Sequence, residues 1–320
     1  MSYSVRILKD SMSPSGKRLT TWELTYPRFV HAEFMTHRLF SRNAASSRAI
    51  PIDKVLERIE MDPALPVWWG KNQAGMQARE ELSTEDGTFT QNSSREEAEF
   101  QWTNSRFEAI KSVRRLQAIG LHKQISNRIV EPWMFITVIV SATEWDNWFW
   151  LRDHKEAQPE IAWVAKEMHK KYLENIPKVM AVGDWHLPLI GEEDWWETSK
   201  PENCGSSEEQ VAMIKKISVG RCARVSYLTH EGKRDIREDV ALHDKLIAGL
   251  KTNEPIHMSP FEHVATPMST DEWNHWASHE LKKAIMENRP FDQTVFGNFI
   301  GWQQYRKEIP NEHFRSPSSP

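Results

Sequence analysis

The stretch MTHRLFSRNAASSRAIP, residues 35 to 51, sets His37, Arg38, Arg42 and Arg48 among Ser41, Asn43, Ser46 and Ser47, with no acidic side chain between them. A phosphate is held by guanidinium forks, hydroxyls and backbone N–H groups, because each fork offers parallel charge-assisted bonds. Arg48 with Ser46 and Ser47 makes one such set, and Arg128 in NRIVEP adds a second fork. Two other segments carry chemistry-bearing groups. WLRDHKEAQPEI contains Arg152, and HMSPFEHV contains His257, Ser259, Glu262 and His263. Spacing alone leaves a structural role equally open for Arg38 and Arg128, as buried partners of Glu33, Glu131 or Glu144.

Metal chemistry fits less well. His31, Glu33 and His37 do not fall at the i, i+4 spacing that puts two imidazoles on one helical face. His257 and His263 are separated by a proline, and there is no zinc-type cysteine pair. Neither GxGxxG nor GxxxxGK[ST] occurs. Cys204 sits in a polar linker and Cys222 in GRCARVSY, on a segment that reads as a buried helix, so neither stands out as a nucleophile.

The elements that must position these groups follow from pattern. SVRIL and LTTWELTY read as short strands bounded by turn formers. After Pro27, the residues Phe29, Val30, Phe34 and Met35 recur at helical spacing, which brings His37 and Arg38 to a helix end. The Ser/Asn-rich motif that follows reads as loop. Residues 70–93 form a polar loop. Ser94 and Glu97 have capping-box spacing ahead of a helix reaching about Ala118. QISNRIVEPWMFITVIVSA is mixed helix and buried segment, interrupted near Pro132. Helices are expected in EAQPEIAWVAKEMHKKYLE, after Ser207 and Gln210, in REDVALHDKLIAGL and in TDEWNHWASHELKKAIME. A linker is expected at 200–210 and a disordered tail at 314–320. Helices dominate over a few scattered strands, so the fold class is α+β, read as a single domain over 1–320.

Bulk properties narrow the function. A net charge of −4 and a pI near 6.4 provide no global basic field, so a cationic site must be local. The longest apolar run, WMFITVIVSA, falls far short of the ~20 residues that span a bilayer. MSYSVRILKD lacks the apolar core of a secretory leader. Two cysteines exclude a disulfide framework and suit a cytoplasmic setting. The 15 tryptophans suit core and interface packing better than ligand stacking.

Taken together, these segments resemble the flavin-dependent thymidylate synthases. The signature of that family is an RHR triplet followed by a Ser/Asn-rich turn ending in S-x-R, and it appears here as THRLFSRNAASSRAI. The RIV and P of NRIVEP match as well, as do the LR of WLRDHKEAQPEI with its AQ-x-EI, ARVSY and SPFEHV. The order differs. In the family the ARVSY and SPFEH segments precede the triplet; here they follow it, at 223–227 and 259–264. The chain therefore reads as a circular permutation, which is tolerable where the original termini lie close together at the surface. The linker at 200–210 would be the join.

The resemblance implies a helix-rich α+β fold with a small mixed or antiparallel sheet. It implies FAD-dependent C5 methylation of dUMP to dTMP, with 5,10-methylenetetrahydrofolate and NADPH as co-substrates. It also implies a homotetramer with shared active sites, no nucleic-acid or membrane partner, and no need for a cysteine nucleophile. Position by position, it implies that Ser46 and Arg48, with Ser47 beside them, and Arg128 hold the nucleotide phosphate. Arg152 would bind and polarise the pyrimidine, with Glu33 also on the substrate side. His37, Arg38, Asn43, Asn147, His257, Ser259 and Glu262 fall at flavin-side positions.

Three positions depart from the family pattern: Thr36 for the first arginine of the triplet, Ala44 for a glutamate, and Ala49 for an aromatic. Thr36 and Ala44 keep open hydroxymethylation of dUMP, or methylation or hydroxymethylation of dCMP, because buried groups that read a base edge discriminate strongly. GNFIGWQQYRKEIP has no counterpart; its Tyr305 and Arg306 either replace the missing arginine or are structural. A reading from another class is a non-catalytic nucleic-acid binder using Trp stacking and local arginines. The acidic net charge argues against it.

Overall fold

The computed structural model describes residues 3–85, 93–225, 234–252, 254, 256–287, 297–310 and 312. The N-terminal half contains β1 (Ser4–Met12), β2 (Arg18–Pro27), α1 (His31–Met35), β3 (Ser41–Ala44), α2 (Ile52–Met61), α3 (Ser94–Ala118), α4 (Lys123–Ser126), β4 (Phe135–Ala142) and α5 (Asp146–Arg152). There follow α6 (Pro159–Glu174), β5 (Lys178–Val179), α7 (Glu192–Thr198), α8 (Ser207–Arg224), α9 (Ile236–Leu246), α10 (Gly249–Thr252), β6 (Ala265–Pro267), α11 (Thr270–Met286) and β7 (Trp302–Gln304). Short 3-10 segments cover Arg28–Val30, Asn127–Trp133, Ser259–His263 and Tyr305–Glu308. The fold is α+β, as expected. No helix among the described residues is long and apolar enough to cross a membrane. The tail expected at 314–320, and Ser226 and Tyr227 of ARVSY, lie outside the described residues.

A five-stranded sheet in the order β3-β4-β2-β1-β5 is the scaffold. Its pairs are antiparallel except β1 with β5. β2 is buried along nearly its whole length, as befits the central strand. Alternation assigns its side chains to two faces. Trp22, Leu24 and Tyr26 join Val138 and Val140 in an aromatic-rich core with Phe34, Phe40, Trp145 and Trp148, closed over by Ile161, Val164 and Met168 of α6. On β4, Ile139 packs instead with Cys222 and Val225 at the end of α8. The sheet therefore carries a layer on each face.

α8 is locked by charge. Arg221 makes a bidentate bridge to Asp194 (2.7 Å at both nitrogens) and bonds Asp239 at 2.9 Å, while Arg224 reaches Asp239 at 2.6 Å. These groups are buried, so their desolvation is offset by full pairing. Gly220 permits the close approach of α9: a Cβ there would lie 2.2 Å from the Asp239 carbonyl oxygen.

Two expectations shift by a residue. The capping box of α3 is Ser93 with Glu96, not Ser94 with Glu97, and the N-cap of α8 is Ser206, whose hydroxyl accepts from Glu209 N–H. The motif read as loop after His37 contains an edge strand, β3. Its four residues pair with Val138–Ser141 of β4, and that pairing overrides the weak strand preference of Ser and Asn.

Candidate active site

α1 is only five residues long and ends at the triplet. Arg152, the last residue of α5, reaches across to that end. Its Nε–H donates to His37 Nε2 at 3.2 Å, and Nη2 donates to Thr36 Oγ1 at 3.1 Å and to the Glu33 carbonyl at 3.4 Å. Arg152 does not pair with its neighbouring acids in these contacts, and Asp153 bonds His169 instead. The His37 ring lies flat against Phe40 and edge-on to Trp148. Arg42 Nη1 fixes the backbone below by donating to the Met35 and His37 carbonyls, both at 3.1 Å. Burial, then Arg152 and Arg42, lower the His37 pKa to about 4. The ring is therefore neutral at pH 7, with a lone pair free to accept. His31 is likewise lowered to about 4, by burial and then by Arg28 and Arg42. The buried Oε2 of the Glu33 carboxylate has no hydrogen-bond partner among the described residues.

The phosphate-type residues occupy the next turn. Ser46 accepts from Ala49 N–H through its carbonyl and is half-buried; Arg48 is exposed. Ser47 is buried, and its hydroxyl donates to Glu131 Oε1 at 2.6 Å. That oxygen also receives Arg28 Nη2 at 3.1 Å and Arg128 Nη1 at 3.3 Å. Arg128 is thus a partner of Glu131, as the structural alternative had it, but its side chain stays 52% exposed and free to turn outward. Arg38 is exposed, and among the described residues no hydrogen bond or ion pair joins it to Glu33, Glu131 or Glu144. Asn127, missed in sequence, anchors the turn: its Nδ2 donates to the Ser47 and Ile50 carbonyls at 2.7 and 3.0 Å.

The remaining residues gather at β3. Asn43 Nδ2 donates to the Cys222 carbonyl at 2.7 Å, and its Oδ1 accepts from Ser259 at 3.3 Å. The late segments therefore dock on the early motif. Glu262 pairs with Arg306, which also pairs with Glu312. Ser41 donates to Asn298 Oδ1 at 3.0 Å, and Asn298 Nδ2 donates to the Leu39 carbonyl at 2.6 Å. Gln304 Nε2 lies within reach of Ser41, Asn298 and the Glu262 carbonyl. The segment without a family counterpart is thus a clasp over the motif. Arg306 is held by Glu262 and Glu312, not by the triplet. Asn147 and His257 are exposed. The structure brings together His37 with Arg152, Ser47 with Arg128, and Asn43 with Ser259; it leaves Arg38, Arg48, Asn147 and His257 facing solvent.

A dinucleotide such as FAD needs cation and N–H donors for its phosphates and ring edge. The exposed donors Arg38, Asn147 and His257 suit that need, while Asn43, Ser259 and Glu262 are engaged within the chain. Among the described residues no group of three or more His, Cys, Asp or Glu side chains is arranged to hold a metal ion. Cys222 is fully buried with its thiol pKa raised by burial, which removes it as a nucleophile.

A family model described as thymidylate synthase complementing protein matches residues 10–178. Solved structures of a UMP/dUMP methylase PolB from Streptomyces cacaoi are similar to the chain. The one bound with 5-Br dUMP has a TM-score of 0.39 at 15% identity, over 54% of this chain and 90% of that one. The one bound with 5-Br UMP has a TM-score of 0.37 at 15% identity, over 54% and 89%. No curated protein matches.

Proposed function

Since the chain belongs to the thymidylate synthase complementing protein family, the flavin-dependent thymidylate synthases, and is therefore a nucleotide-modifying one-carbon transferase, we propose that it methylates C5 of a pyrimidine deoxynucleotide monophosphate, dUMP to dTMP. The co-substrates are 5,10-methylenetetrahydrofolate and NADPH, and the resident cofactor is FAD. The working form is a homotetramer with shared sites, in the cytoplasm, built from one catalytic domain in permuted order. Family membership sets the non-catalytic reading aside. The observation that carries the proposal is Arg152, fixed by its Nε and Nη2 edge on the end of α1, with Nη1 unbonded among the described residues.

Pyrimidine C5 is a poor nucleophile. A guanidinium bonded to a ring carbonyl stabilises the negative charge that grows on the ring, and preorganised donors of this kind contribute several kcal/mol to a transition state. Arg152 serves as that donor. Ser46, Arg48 and Arg128 take the phosphate, Arg128 exchanging its exposed bridge to Glu131 for a dianion. Arg38, Asn147 and His257 hold FAD, braced by Asn43, Ser259 and Glu262. When bound, FAD supplies the reducing chemistry. Neutral His37 keeps Arg152 in place without adding charge.

One preparation tests this. The purified protein should show a flavin absorbance band and scatter light as a tetramer. Incubated with labelled methylenetetrahydrofolate, NADPH and dUMP or dCMP, it should yield a nucleotide one methyl heavier from dUMP. A hydroxymethyl mass, or product from dCMP alone, would replace the dTMP assignment. No flavin band after incubation with excess FAD would sink the cofactor assignment.

A further inference from the structure

Among the described residues, the hold on Arg152 comes from the end of α1, and each acceptor there is uncharged: the His37 imidazole, the Thr36 hydroxyl and the Glu33 carbonyl. The hydroxyl direction is determined. Thr36 Oγ1 donates its one hydrogen to the Glu33 carbonyl at 2.7 Å, so towards Arg152 it can only accept. Accepting at His37 Nε2 requires the tautomer with its proton on Nδ1, and the lowered pKa of that ring keeps the Nε2 lone pair available. Phe40 and Trp148 clamp the ring, and Arg42 clamps the backbone, so the cradle is rigid before any ligand arrives.

Resting on the reading that Arg152 meets the pyrimidine, we propose that Thr36 and His37 are positioning residues for Arg152: an acceptor cradle that takes the Nε and Nη2 edge of the guanidinium and presents the Nη1 end to the nucleotide. Thr36 then has a use of its own. An arginine at 36, as in the family triplet, has no acceptor atom and would set a second guanidinium against the first. The departure at 36 and the pose of Arg152 are one feature.

The test is a double-mutant cycle on nucleotide affinity, by calorimetry with dUMP or dCMP, whichever the wild-type protein binds. Thr36→Val keeps the shape and removes the acceptor. It should weaken binding about fivefold to tenfold, within the range of one net hydrogen bond, and lower kcat/KM at least as much. Thr36→Ser, which keeps the acceptor, should recover most of the affinity. Thr36→Arg should bind worse than Thr36→Val. In an Arg152→Ala background, Thr36→Val should cost less than about twofold, because the group it positions is gone. Full additivity, or wild-type affinity in Thr36→Val while Arg152→Ala binds poorly, would overturn the cradle and leave Arg152 in the site. Unchanged affinity in Arg152→Ala itself would remove Arg152 from the nucleotide site, and the cradle's purpose with it. Thermal midpoints identify any variant that fails to fold, and the Ser and Arg variants then decide.

Discussion

At the scale of single residues, the site is a matter of which arginines are spent and which are free. Glu131 is the local sink: Ser47, Arg28 and Arg128 all reach its Oε1. The Arg128 bridge is exposed and spans three residues, a kind of pair that contributes at most a few tenths of a kcal/mol. Releasing Arg128 to a phosphate therefore costs little. We expect Arg48→Ala and Arg128→Ala each to weaken nucleotide binding by roughly 1.5–3 kcal/mol, about tenfold or more. Thermal stability and flavin content should barely change. Isothermal titration giving wild-type affinity in both variants would take these side chains out of the site. The arginines and hydroxyls of the motif were legible as residue types. Their partners were not, because Ser47 meets Glu131 and His37 meets Arg152 across long stretches of chain, and spacing carries no information about such contacts.

At the scale of elements, regular periodicity made β1, β2, α3, α6, α8, α9 and α11 readable. The edge strand β3 was not, since its residues become a strand only by pairing with β4. The clasp was invisible for a similar reason: nothing local in GNFIGWQQYRKEIP says that Asn298 and Gln304 fold onto Ser41 and the Leu39 carbonyl. Gln304 is buried, and the chain beside it has no room: Gly297 has φ +75°, and a Cβ there would lie 2.1 Å from Gln304 Oε1. Replacing Gln304 by Leu leaves Ser41 and Asn298 short of a partner in the interior, which costs about 1–3 kcal/mol. We expect a lower urea midpoint and faster amide exchange in residues 39–44, measured by mass spectrometry. Lost stability with unchanged exchange in that segment would show that the clasp does not hold the motif.

At the scale of the whole molecule, a buried chain of side chains joins the family-matched region to the part that follows it. Ser11 Oγ meets His186 Nδ1 at 2.9 Å, and His186 Nε2 meets Thr21 Oγ1 at 2.8 Å. Thr21 Oγ1 meets Ser141 Oγ at 2.6 Å, and Ser141 Oγ meets His263 Nδ1 at 2.9 Å. All five residues are at 0% exposure, so this polar thread runs through the interior between the sheet and the 186 and 263 segments. It ties the late residues to the sheet: His263 is the last residue of the 3-10 turn that carries Ser259 and Glu262, and it meets Ser141 of β4. Burial keeps both imidazoles neutral, pushing His263 down to about 3 and His186 well below the ordinary histidine value, with Lys9 and His263 adding to the latter. The sign of the linkage follows. Unfolded histidines bind protons below about pH 6.5, whereas the folded ones do not until far lower, so the unfolded state gains protons first and stability falls as pH drops through that window. Each histidine steepens the fall by up to ~1.4 kcal/mol per pH unit. Between pH 6.5 and 5 most carboxylates stay ionised, so this interval isolates the histidines. We expect urea midpoints to drop steadily there. His263→Gln, which cannot titrate, should be less stable at pH 7 yet show a shallower fall. A wild-type midpoint that stays level from pH 7 to 5 would mean that these imidazoles take up protons while folded, and the thread would then not be a neutral one.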